Sequence, residues 1–176
     1  MNLPSRWLKY GLLLLVAILL QSPVGCKKEA SKPKKPLAPD FALPSVNGKT
    51  VTLSQLRGKV VLLDFWATWC APCRMAIPHL NNLYRTHRER ELEIIGLSLD
   101  KGIPEMLKRF SVSMAIEYTI VMADDKVVKD YGISPIPTTY LIDRNGSITN
   151  KWVGFSQNLM STISAETERL LSEGSG

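Results

Sequence analysis

Hydrophobic residues in this chain fall into blocks whose spacing changes from segment to segment. From Lys59 to Trp66 apolar side chains follow one another almost without a break, with Asp64 set among them. That pattern predicts a strand buried on both faces, and Leu92 to Leu99 repeats it. Between the two, Ile77, Leu80, Leu83, Tyr84 and His87 recur at three- and four-residue steps, which is one face of a helix beginning near Cys73. Pro78 lies inside that helix and predicts a kink, because it brings no N–H and crowds the turn before it. Further on, Pro104 to Phe110 reads as a second helix and Ser111 to Glu117 as a link. Thr119 to Met122 reads as a short extended segment, and Asp125 to Tyr131 as a short helix stopped by Gly132. Thr138 to Ile142 and Ser147 to Val153 flank the turn Asp143-Arg144-Asn145-Gly146, and Asn158 to Ser172 is a terminal amphipathic helix. Upstream, Phe41 to Leu43 and Thr50 to Leu53 flank Asn47-Gly48 as a hairpin, and Ser54-Gln55-Leu56 makes a helical turn ending at Gly58. The alternation predicts an α/β domain: a central mixed sheet flanked by helices, with an N-terminal β-hairpin extension and a closing hairpin.

The first 36 residues follow other rules. Arg6 and Lys9 precede an apolar run of eleven, Tyr10 to Leu20, too short for a comfortable membrane span of about twenty. A positive segment, a short apolar segment and small residues at the break make an export signal. Gly25-Cys26 resembles the cleavage site of bacterial lipoproteins, which implies lipidation of Cys26, although Pro23 stands where that family usually has leucine. An uncleaved signal anchor and ordinary secretion are the alternatives, and all three place the domain outside the cytoplasm. Residues 27–36 hold five lysines against Glu29 and almost nothing apolar, as a solvated tether would. The expected organisation is a leader over 1–26, a basic tether over 27–36 and one domain over 37–176.

Charge then changes meaning. The chain of 176 residues is formally +6, but the leader contributes +2 and the tether +4, while residues 37–176 have 15 basic and 15 acidic side chains. A domain with no net charge has no electrostatic claim on a phosphate backbone, so nucleic acid is not expected as a partner. Lysines beside a lipid anchor would instead attract anionic headgroups.

Chemistry concentrates at Trp69-Cys70-Ala71-Pro72-Cys73, where two of the three cysteines stand two residues apart between a strand and a helix. A cysteine delivered to the first turn of a helix sits where backbone N–H groups converge, and the helix dipole favours its thiolate. A second cysteine one turn on is placed to displace whatever the first has captured. The spacing therefore points to dithiol–disulfide exchange. A structural zinc site would need four ligands, and the chain offers only His79 and His87 besides, with no second cysteine pair.

Three motifs resemble the thioredoxin superfamily: Asp64-Phe65-Trp66-Ala67-Thr68-Trp69-Cys70-Ala71-Pro72-Cys73, then Ile136-Pro137-Thr138-Thr139 before a strand, and Ala38-Pro39-Asp40-Phe41, an opening shared with peroxiredoxins. Within the superfamily the chain is similar to the membrane-tethered extracytoplasmic branch of TlpA, ResA and the cytochrome c maturation thioredoxins. That resemblance implies a thioredoxin-like fold with an extra helix and strand inserted within about residues 101–122, before the strand that carries the cis-proline. It implies Cys70 as the attacking thiol, Cys73 as the resolving thiol, and a redox disulfide between them. It implies a cis peptide at Pro137, aiming the Ile136 backbone at a substrate chain. Asp64 matches the buried acid that takes a proton, through water, from the resolving cysteine. The lysine that accompanies this acid in thioredoxin is replaced by Gly96, and Asp100 is the nearest acid after that strand. Trp69, Ala71, Pro72, Ile136 and Thr138 are the expected substrate-binding residues.

By the same resemblance no cofactor or metal is needed. Partners would be cysteine-containing exported proteins, among them apocytochrome c, and a DsbD/CcdA-like membrane electron donor. Ala71-Pro72, with proline second, resembles the reducing members more than the oxidants, so a reductase is favoured over a dithiol oxidase. A peroxiredoxin needs threonine three residues before its reactive cysteine, and Thr68 lies two before Cys70. A copper-binding assembly factor would use soft thiol ligands, but such relatives have a longer cysteine spacing and a distant histidine.

Overall fold

The computed structural model describes residues 35–173. The leader, Cys26 and most of the basic tether lie outside the described residues. Among those described, no helix is long and apolar enough to cross a membrane.

The strands are β1 (Ala42–Pro44), β2 (Thr50–Thr52), β3 (Val60–Trp66), β4 (Leu92–Ser98), β5 (Thr119–Met122), β6 (Thr138–Ile142) and β7 (Ile148–Val153). The α-helices are α1 (Ala71–His87), α2 (Pro104–Ser113), α3 (Asp125–Asp130) and α4 (Gln157–Ser172). β1 and β2 form a separate antiparallel hairpin. The other strands make one mixed sheet in the order β5-β4-β3-β6-β7, with β3–β4 and β4–β5 parallel and β3–β6 and β6–β7 antiparallel. The expected mixed sheet flanked by helices, with its inserted helix and strand as α2 and β5, is the fold observed.

Every residue of β3 is buried, as its unbroken apolar run requires at the middle of a sheet covered on both faces. Val61, Leu63 and Phe65 face one way, into a core shared with Phe41, Leu43 and Leu53 from the N-terminal extension, Val127 of α3, and Tyr140. Val60 and Leu62 face the other way, against Ala76, Leu80 and Leu83 of α1 and Met160, Ile163, Leu170 and Leu171 of α4. Trp66 continues that second face into a cluster with Cys73, Ile77 and Leu107. Each large apolar side chain so enclosed contributes about 1.5–3 kcal/mol, which is why the two cores dominate the fold.

Several boundaries move. α1 begins at Ala71, two residues ahead of the expected start, because Cys70 itself caps the helix. It continues through Pro78 to His87 as one helix. α2 runs on to Ser113, absorbing the first part of what the sequence predicts as a link. The helical turn before β3 is a 3-10 turn starting at Leu53, and Gly58 follows it at φ 90°, a conformation glycine adopts without a steric cost.

The connection from α2 to β5 is fixed by one side chain. Asn81 is buried on α1; its Nδ2 donates to the Ala115 carbonyl at 2.8 Å, and its Oδ1 accepts from the Glu117 N–H at 3.0 Å. Ala115 has φ 50°, so the amide holds a turn that an alanine seldom makes unaided. Replacing Asn81 by alanine removes both bonds and should cost about 1–3 kcal/mol. Urea unfolding checks this, and a loss below about 0.5 kcal/mol would show that the turn stands without the clamp.

Candidate active site

Cys70 lies at the junction where β3 ends and α1 begins. Its N–H donates to the Ala67 carbonyl at 3.1 Å, closing the turn. Its sulfur is the cap of α1, accepting the Cys73 N–H at 3.3 Å. Pro72 occupies the first turn of the helix, where a missing N–H removes nothing the helix would have used. Cys70 and Cys73 are joined as a disulfide. Cys73 is completely buried, whereas Cys70 keeps 6% of its surface in solvent. Any partner reaching this pair from outside meets Cys70 first.

Across from the disulfide the Ile136–Pro137 peptide bond is cis. The Ile136 carbonyl oxygen lies 3.9 Å from Cys70 Sγ. The Pro137 carbonyl accepts from Gly154 N–H at 2.8 Å, tying this loop to the end of β7. Around the pair, Trp69 is 67% exposed, Ala71 is exposed, and Pro72 and Ile136 are half-buried. These four keep apolar surface in solvent, as a substrate-facing rim would need. Thr138 does not join it: its side chain is buried and its hydroxyl donates to the Pro135 carbonyl at 2.7 Å. Met75, exposed on the first turns of α1, adds an apolar side chain that the motifs did not point to.

Asp64 lies two residues before the end of β3 and is 1% exposed. Its Oδ1 accepts from Thr139 Oγ1 at 3.3 Å, and its Oδ2 has no partner among the described residues. Burial pushes its carboxyl up to about 7, and the Thr139 hydrogen bond opposes the shift only partly. Gly96 is its register partner on β4, so no cation stands beside it on that strand.

Asp100 has a different occupation. Its carboxylate accepts from the Thr68 N–H at 2.9 Å, from Thr68 Oγ1 at 2.7 Å and from Ser98 Oγ at 2.7 Å. Arg74 Nη1 in turn donates to the Thr68 carbonyl at 2.8 Å. Both backbone polar groups of Thr68 are thus held, two residues before Cys70. The Thr68 hydroxyl is committed to Asp100 and away from the sulfur, unlike the threonine of a peroxidatic site. The sequence suggested neither Arg74 nor this clamp; the only signal was an acid directly after a buried strand.

The AhpC/TSA family model matches residues 35–151. The thiol–disulfide oxidoreductase ResA of Bacillus thuringiensis is 35% identical over 118 residues, 66% of this chain and 68% of that protein. ResA of Geobacillus thermodenitrificans is 38% identical over 113 residues, 63% of this chain and 64% of that one. Among solved structures, a Chlorobium tepidum protein crystallised as thiol:disulfide interchange protein DsbE has 34% identity and a TM-score of 0.73, covering 80% of this chain and 99% of its own. With a CxxC disulfide at a helix mouth and this sheet beneath it, the chain belongs to the AhpC/TSA family, as a thioredoxin-like thiol–disulfide oxidoreductase.

Proposed function

We propose that the protein reduces disulfides in exported proteins from a tethered position on the outer face of a cell membrane. The observation that carries the reading is the asymmetry of the pair: Cys70 is reachable and caps a helix, and Cys73 is fully buried behind it. In the reduced protein the Cys70 thiolate attacks one sulfur of a substrate disulfide, forming a mixed disulfide and expelling the other substrate sulfur as a thiolate, which takes a proton from water. Asp64 removes the proton of Cys73, whose sulfur then attacks Cys70 Sγ. The second substrate thiol leaves, two electrons have passed to the substrate, and Cys70–Cys73 is oxidised. Its re-reduction needs a dithiol donor, which the resemblance supplies as a DsbD/CcdA-like membrane protein. The cis Ile136–Pro137 backbone and the rim of Trp69, Ala71 and Pro72 receive the substrate chain. Haem-attachment cysteines of an apocytochrome c are one substrate of this class.

Residues 1–26 direct export, lipidated Cys26 anchors the protein, and residues 27–36 tether a domain over 37–176. The reducing direction is supported by the order Ala71-Pro72 within the motif. The potential of the Cys70–Cys73 couple decides it: the expected value lies nearer the ~−270 mV of thioredoxin than the ~−120 mV of a strong oxidant. A value at the oxidising end would make the protein a dithiol oxidase.

Two further outcomes are expected. Cys73→Ser should accumulate a mixed disulfide through Cys70, and Cys70→Ser should lower turnover by more than about a thousandfold. Both are read from non-reducing gels and insulin-type disulfide reduction.

The carboxyl of Asp64 is held far above the ordinary 3.8 in the folded protein. The folded state therefore keeps a proton that the unfolded chain releases. The associated stability is complete below pH 3.8 and is lost as pH rises through about 7, a change of about 4 kcal/mol at most. Asp64→Asn should abolish that loss, leaving the oxidised variant more stable than wild type at pH 8. Urea unfolding at a series of pH values measures it.

A further inference from the structure

The face of β3 that carries Asp64 holds three buried polar atoms without a hydrogen-bond partner among the described residues: Asp64 Oδ2, Trp66 Nε1 and the Tyr118 hydroxyl. The indole and the phenol ring both close on one glycine, which lies beside Asp64 in the sheet. Gly96 is the register partner of Asp64, and a Cβ built there would lie 2.9 Å from Trp66 Nε1 and 3.2 Å from Tyr118 Cε2. The missing side chain of Gly96 is what lets the indole and the phenol approach the sheet beside the acid. Burial raises the Tyr118 phenol well above its ordinary value, and the neighbouring Asp64 carboxylate raises it further.

The three atoms are chemically complementary. An indole N–H can only donate, a phenol hydroxyl can donate or accept, and an ionised carboxylate oxygen only accepts. Buried groups of this kind are rarely left unmatched in a folded protein. The strands beside Asp64 offer it no charge: β6 brings Thr139 and β4 brings Gly96, while the buried polar and thiol side chains of α1 are Cys73, His87 and Asn81, the last engaged with Ala115 and Glu117.

We propose that Tyr118 and Trp66 are positioning residues for Asp64, donating from Oη–H and Nε1–H through a bridging water molecule to its carboxylate. Two neutral donors thus do what a lysine on β4 would otherwise do: they favour the ionised form without placing a cation in the core. The effect on turnover rests on the reading of Asp64 as the base for Cys73, whereas the contact itself does not.

The test is the carboxyl titration of Asp64 by 13C NMR on the oxidised full chain. Tyr118→Phe removes one donor to the charged form, so the midpoint should rise by about one pH unit, a tenfold weaker acid. In wild type, the Trp66 indole Nε1–H resonance should move with the same midpoint, which needs no variant and decides the matter if Tyr118→Phe does not fold. An unmoved midpoint in Tyr118→Phe, or an indole resonance flat across the titration, overturns the proposal. The acid limb of the pH profile for Cys73-dependent substrate release should shift with the carboxyl in Tyr118→Phe. If Asp64→Asn leaves that profile unchanged, the base reading fails while the NMR titration still judges the contact.

Discussion

The hydrogen bond from the Cys73 N–H to Cys70 Sγ is the constraint on which the site depends. It makes a cysteine sulfur the cap of α1, so the first turn of the helix and the reactive atom are fixed by the same contact. A sulfur in that place sits against the positive end of the helix and accepts a backbone N–H, both of which favour negative charge on it. Other parts of the structure hold the junction from outside. β3 is gripped by neighbours on both sides, Asp100 and Arg74 secure Thr68, and the loop of Ile136 and Pro137 closes over the sulfur from β6.

Much of this was legible in the residue order. The unbroken apolar run of β3 forces a central, doubly covered strand, and a cysteine pair directly after such a strand lies where the strand's carboxyl end meets a helix start. The resemblance put Gly96 where thioredoxin has its lysine, and the two strands pair it with Asp64. Less legible were features made by contacts across long stretches of chain. Asn81 gave no sign that it would hold residues 115 and 117, since a polar residue on a helix reads as solvated until its neighbours are known. Thr138 looked like part of the substrate rim by its place beside Pro137, but the strand pleat turns its side chain inward. Asp100 read as an isolated acid, and its meaning lies in the Thr68 N–H and hydroxyl 32 positions earlier.

The segment holding α2 and β5 reaches the surroundings of Asp64. The clamp of Asn81 on residues 115 and 117 brings the next residue, Tyr118, against the space left by Gly96. The inserted helix and strand therefore do more than lengthen the sheet, since they bring an aromatic ring against the glycine that pairs with the buried acid. A carboxyl enclosed in this way titrates near neutrality because water is excluded, and its proton affinity becomes a property of side chains that lie far from it in sequence.

The path of the N-terminal segment has its own consequence. The Pro36 carbonyl accepts from Ile148 N–H and Leu37 bridges Ser147, at the start of β7; a few residues later Ser45 bridges Val121 and Val46 N–H donates to the Ile120 carbonyl of β5. β7 and β5 are the two outer strands of the sheet. One short length of chain thus occupies backbone groups at both borders, where a visiting polypeptide could otherwise add itself as an extra strand. A molecule built to meet other chains at a sulfur is thereby shielded from becoming a template for their aggregation.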